Sequence, residues 1–91
     1  MKLFFEKIDR DPILRKVVFF YYNNPGSVDT ADNIAQWVEE EEEIVVEKLE
    51  YLAKINILNK DKSYATIAYS YTQNREIISI VKNFLEEQNY D

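Results

Sequence analysis

A chain of 91 residues has room for one compact domain with a single core, and its 46% apolar and 14% aromatic content is far from the profile of a disordered segment. With no cysteine and no histidine it offers no disulfides, no thiolate or imidazole catalysis and none of the common zinc ligand sets. The net charge of −6 is unevenly spread, from +2 over residues 1–28 to −7 over residues 29–56, and then +1 over 57–74 and −2 over 75–91, a polarity that suits oriented association with a charged partner.

At the N-terminus, Met1-Lys2-Leu3-Phe4-Phe5-Glu6-Lys7 interrupts its apolar run with charge and lacks the apolar region of a secretory signal. The longest apolar stretch, Val17 to Tyr22, falls far short of the roughly 20 residues needed to cross a bilayer. A cytoplasmic protein without membrane contact is expected. Asp11-Pro12 reads as a helix opening, with Asp capping free amides and Pro at the first helical position. That first helix covers about 12–22 and closes at Asn23-Asn24-Pro25-Gly26, where the only glycine suits a left-handed turn.

Thr30 is placed to cap a second helix over about 31–38, in which Ile34, Trp37 and Val38 supply apolar contacts and Trp37 is expected in the core. Ile44, Val45, Leu49, Leu52 and Ile55 recur at helical steps and predict a third helix over about 42–55, opening within the run Glu39 to Glu43. Glutamates suit a helix start, where their charge complements the partial positive charge of the dipole.

The period then changes. Ile57 to Lys60, a turn at Asp61-Lys62-Ser63, and Tyr64 to Tyr71 predict a two-stranded hairpin over about 57–71, with Ala65, Ile67, Tyr69 and Tyr71 on one face. These tyrosines suit sheet-face packing better than a base-stacking platform. Thr72 or Asn74 can cap a last helix over about 74–88, with Ile77, Ile78, Val81, Phe84 and Leu85 as its apolar stripe and a polar end at Glu86 to Asp91.

The order helix, helix, helix, hairpin, helix resembles the winged helix-turn-helix superfamily over nearly the whole chain. Thr30, Ile34 and Ala35 stand like the capping, apolar and small residues of that family's first helix-turn-helix element. Val45, Leu49, Leu52, Asn56, Ile57 and Leu58 resemble its next helix and the exit into the wing, with Asn56 where the family usually has Gly. Tyr69-Ser70-Tyr71-Thr72 is similar to the second wing strand entering the C-terminal helix of bacterial and archaeal regulators. The resemblance implies an α+β, mainly helical domain with a three-helix core, a two-stranded wing and a C-terminal helix.

A fold does not fix a function, so the exposed face of the third helix has to be read separately. With Val45, Leu49 and Leu52 inward, helical geometry turns Glu43, Val46, Glu47, Glu50 and Lys54 outward. DNA-reading relatives carry basic or amide side chains there, whereas carboxylates can accept only from cytosine N4 and repel phosphate. Each like-charge contact costs about 1 kcal/mol in water and more where solvent is excluded, so three carboxylates outweigh one bidentate base contact at about 1–3 kcal/mol. The expected activity is non-catalytic docking of a protein partner through this acidic face, in a regulatory setting, with no cofactor and no bound metal. The glutamate run also reads as a solvated helix start, and it lacks the spaced Asp/Asn/Gly pattern of a calcium loop.

The alternative is a DNA-binding transcriptional regulator that uses other cations: Lys60 and Lys62 at the wing tip, and Lys2, Lys7, Arg10, Arg15 and Lys16 near the N-terminus. No spaced carboxylate pair or Gly-rich phosphate loop points to an enzyme. The first helix is apolar around most of its circumference, as a helix buried on all sides is. A homodimer through Leu3, Phe4, Phe5, Phe19, Tyr22, Ile78, Phe84 and Leu85 would cover it, as the resemblance also implies; the N-terminal segment and last helix folding over it within one chain would do the same.

Overall fold

The computed structural model describes residues 1–63 and 65–88. In chain order the elements are α1 (Lys2–Arg10), α2 (Pro12–Asn23), β1 (Val28–Thr30), α3 (Ala31–Val38), α4 (Glu42–Lys54), β2 (Leu58–Ser63), β3 (Thr66–Tyr71) and α5 (Arg75–Gln88). The class is α+β, mainly helical, with one antiparallel sheet in the order β1-β3-β2.

Two elements depart from expectation. Residues 2–10 form a helix, because Phe4 and Ile8, four residues apart, both sink into the core while Phe5 stacks on Phe84 of α5 at 4.2 Å between ring centroids. The charges that interrupt the apolar run are the solvent face of that helix, where Glu6 and Lys7 are exposed. Residues 28–30 form a third strand: Val28, Asp29 and Thr30 pair with Ser70, Tyr69 and Ala68. Three residues are too few to show alternation, so this strand exists through its partner.

Asp11 separates α1 from α2 and serves both. Its backbone is extended, its Oδ1 accepts from the Leu14 amide at 3.0 Å, and Pro12 opens α2. Arg15 reaches back to donate to the carbonyls of Ile8 at 3.2 Å and Asp9 at 2.9 Å, occupying acceptors that the end of α1 leaves free. Leu14, Val17, Val18 and Tyr21 of α2 are buried, and Ile13, Phe19, Phe20 and Tyr22 are half-buried. Cover for α2 comes from α1, α3, α4 and β3 of the same chain, which leaves Phe19, Phe20 and Tyr22 half-buried. Within the same set, Phe4 and Leu85 belong to the core.

Left-handed backbone occurs at Glu39 (φ 59°) and Asn56 (φ 67°), not at Gly26. The expectation for Gly26 is therefore corrected. Pro25 occupies the second position of a turn closed by the Ser27 amide on the Asn24 carbonyl at 3.0 Å, a geometry that leaves no need for a left-handed glycine. Asn56 behaves as expected: it ends α4, and the next amide, Ile57, donates to the Leu52 carbonyl at 3.0 Å. Thr30 stands at the start of α3, yet its side chain makes no capping bond and its hydroxyl turns to Asp32 at 2.5 Å. Asn74 does cap α5, accepting from the amides of Glu76 and Ile77 at 3.0 and 3.2 Å.

The hairpin falls where expected, but its first strand is longer and its turn shorter. Pairing runs from Leu58 with Tyr71 out to Ser63 with Thr66, so Asp61, Lys62 and Ser63 are strand residues rather than the turn. Tyr69 and Tyr71 share the core face, Ile67 is half-buried, and Ala65 lies in the exposed turn. The expectation for Tyr64 and the polar end at Asn89 to Asp91 lie outside the described residues. Tyr21 of α2 donates to the Tyr69 carbonyl at 2.8 Å and its ring lies near-parallel to that of Tyr71, so the helical layer is fastened to the middle strand.

Candidate docking surface

Residues at three- and four-step spacing put Glu43, Val46, Glu47, Glu50 and Lys54 along one side of α4. Glu43, Glu47 and Lys54 are exposed, while Val46 and Glu50 are half-buried. Glu50 is engaged within the chain: it accepts from the Tyr69 hydroxyl and pairs with Lys60 at 2.9 Å. The Tyr69 bond first and Lys60 second hold its carboxyl below the usual value, and the Tyr69 hydroxyl is raised by burial and by Glu50. The acidic surface of α4 therefore narrows to Glu43 and Glu47, flanking Val46.

Several of the cations named in the sequence are likewise committed. Lys60 is on Glu50; Arg15 is on the end of α1. Lys16 reaches Glu40 at 2.5 Å and the Val38 carbonyl at 3.4 Å, where it complements the negative end of α3. Lys7 sits over the Tyr51 ring at 4.1 Å. Lys2, Arg10 and Lys62 are exposed, the first two on α1 and the third in β2. Taken together, the seven cations lie on α1, α2 and β2 rather than along one helix face.

The glutamate run divides between two helices. Glu39 closes α3 in the left-handed conformation, and the Glu40 amide returns to the Ala35 carbonyl at 3.1 Å. Glu41 precedes α4, and Glu42 and Glu43 occupy its first turn. Among the described residues, no three carboxylates gather in an arrangement that could hold a metal ion.

Trp37 is the residue that sequence reasoning misplaced. Instead of anchoring the core it is 71% exposed. The inward stripe of α3 is Ala31, Ile34, Ala35 and Val38, a complete three-and-four pattern, and at about 100° per residue Trp37 falls roughly 110° off its centre. That stripe was the available signal, and ring size was the misleading one. The indole rests tilted against Phe20 of α2, 6.2 Å between centroids. Together with Pro12, Phe19 and Val38 these rings wall an open groove of about 670 Å³, with Glu39 at its rim.

Among the dimer candidates, Leu3 is 76% exposed, while Phe5, Phe19, Tyr22, Ile78 and Phe84 are half-buried; Tyr22 also donates to Glu86 of α5 at 2.6 Å. No helix among the described residues is long and apolar enough to cross a membrane. No protein-family model matches the sequence, and comparison with curated proteins gives no match.

Proposed function

We propose that this chain is a winged helix-turn-helix interaction domain that docks a protein partner and performs no catalysis. The family reading is supported by the element order, with β1 between α2 and α3, the α3–α4 pair joined by a tight turn, and a β2–β3 hairpin that follows α4 and pairs back onto β1.

The observation that carries the docking reading is the charge of α4. A helix that reads DNA presents donors and cations to base edges and phosphates, and α4 presents Glu43 and Glu47 in exposed positions. The cations that would compensate are paired within the chain: Lys60 with Glu50, Lys16 with Glu40, Arg15 with backbone carbonyls. Carboxylates flanking a half-buried valine suit a basic partner, steered by charge and held by apolar contact.

Anisotropy of labelled mixed-sequence duplex DNA, titrated at low and physiological salt, tests the reading. Phosphate-driven binding weakens steeply as salt rises. The expected result is no binding by the native protein even at low salt, and salt-sensitive binding by the Glu43→Lys, Glu47→Lys double variant. Salt-sensitive binding by the native protein would overturn the reading in favour of a DNA-binding regulator using Lys62 and the α1 cations.

A further inference from the structure

Trp37 is exposed although the chain has apolar surface to pack it against, and it does not stand alone. Its indole is braced by Phe20 and continues into the groove walled by Pro12, Phe19 and Val38. α3 loses nothing by this arrangement, since its inward stripe is complete without the indole.

Charge around the groove selects what would enter it. Arg15 and Lys16 reach its lining, but the former is bonded to the carbonyls of Ile8 and Asp9 and the charge of the latter is offset by Glu40. At the rim, Trp37 and Glu39 also border a second hollow with Asn33 and Gln36. Gln36 and Glu39 in turn border a third, lined by Asp32, Glu40, Glu41 and Glu42. Glu39 borders all three hollows, so the apolar groove beside the exposed indole adjoins a hollow lined by carboxylates.

We infer that the Trp37 groove is a second docking site, and that its occupant is a short segment of a partner protein in which an apolar anchor is followed within a few residues by arginines or lysines. The anchor fills the space between Phe19, Phe20 and Val38. The next cation lies over the Trp37 indole, the aromatic face that attracts cations best, and pairs with Glu39. Later cations enter the hollow of Glu41 and Glu42. Arginine suits the middle position better than lysine because its planar guanidinium stacks on a ring while its edge donates to a carboxylate. The inference rests on the reading of the domain as a protein-docking module and adds a surface distinct from Glu43 and Glu47.

Trp37 is the single tryptophan of the chain, so its emission reports on this site alone. The probe is a fluorescein-labelled peptide in which a pair of leucines precedes a run of arginines, followed both by anisotropy and, unlabelled, by the indole emission of the full chain. The expected result is saturable binding with a blue shift of the indole, weakened about tenfold by Glu39→Lys and by Trp37→Ala. Because Trp37 is exposed, the Trp37→Ala variant keeps the melting curve of the native protein. Replacing the arginines by glutamates, or the leucines by serines, abolishes the shift.

An indole that stays unshifted while the peptide binds overturns the groove. If that binding is lost in the Glu43→Lys, Glu47→Lys variant, the docking reading survives on α4 without the groove. Equal response to the glutamate peptide overturns the charge selection. A single-stranded oligonucleotide that quenches Trp37 where the peptide does not overturns the partner class.

Discussion

Tyr69 of β3 donates its hydroxyl to the Glu50 carboxylate of α4, and this contact ties the hairpin to the helix whose face defines the acidic surface. Lys60 of β2 joins them on the same carboxylate, so both hairpin strands are registered against α4. Glu50 remains 43% exposed, and water can replace the lost donor when Tyr69 is changed to Phe. The expected cost of Tyr69→Phe in urea unfolding is about 0.5–1.5 kcal/mol. Glu50→Lys, which sets two ammonium groups together, costs more.

The same contact gives an acid dependence. Glu50 is held below its ordinary 4.5, so the unfolded chain takes up the proton more readily and acid favours unfolding. Its contribution is present above pH 4.5 and is lost as pH falls through the folded value. Melting temperature followed from pH 6 downwards should fall less steeply in Tyr69→Phe than in the native protein, because that variant returns Glu50 towards its ordinary value.

Tyr21 and Tyr71 are a matched pair with opposite expectations. The Tyr21 hydroxyl is buried and donates to the Tyr69 carbonyl, so Tyr21→Phe should cost about 1–2 kcal/mol. The Tyr71 hydroxyl is buried with no hydrogen-bond partner among the described residues, so Tyr71→Phe should be neutral or stabilise by about 1 kcal/mol. Burial first, and the neighbouring Tyr22 second, push the Tyr71 ionisation up to about 12. For a group raised in the folded state, the stabilising contribution is complete below its unfolded value near 10 and is lost as pH rises towards 12. Ultraviolet titration of the phenolates checks this, with Tyr71→Phe removing the latest-titrating group of the pair Tyr22 and Tyr71.

Asp11 caps α2 and pairs with Lys48 of α4 at 2.8 Å. Burial alone would push its carboxyl up, but the Lys48 bond and the amides of Leu14 and Ile13 outweigh that and hold it below the ordinary 3.8. Asp11→Ala should cost about 1–2 kcal/mol. Asp11→Asn keeps a capping oxygen, loses the ion pair and should cost about 0.5 kcal/mol, which equilibrium unfolding at pH 7 separates.

Glycine and left-handed backbone are mismatched in this chain, and exchanging them should help. A Cβ on Gly26 meets nothing within 4 Å, and its φ is not positive, so Gly26→Ala should stabilise by about 0.4–1 kcal/mol through the unfolded state. Glu39 carries the left-handed penalty that asparagine at 56 partly avoids. Glu39→Gly should therefore stabilise more than Asn56→Gly does, with thermal melts as the measure.

What could be foreseen from sequence were features encoded within a few residues of one another. The Asp11-Pro12 opening, the Asn74 cap, the Asn56 exit and the Val45, Leu49, Leu52 stripe each follow from local chemistry. What could not be foreseen depends on a distant partner. β1 is a strand because Ser70, Tyr69 and Ala68 lie beside it, and α1 is a helix whose buried residues need α5 and the core to receive them. The outward face of α4 was legible from periodicity, but not the capture of Glu50 by Tyr69 and Lys60, nineteen and ten residues away. Trp37 was misread because size was weighed above phase.

The five glutamates are interchangeable as letters and not as positions. One closes a helix with left-handed backbone, one returns its amide to Ala35, one precedes α4, and two begin it. An added or deleted glutamate here would have to be absorbed by a tight turn or by α4, where one residue turns every later side chain by about 100°. Leu49 would then rotate away from the core and Glu50 away from Tyr69. The length of the run is thus under tighter geometric control than its composition, and variants of this chain should exchange glutamates for other polar residues far more freely than they change their number.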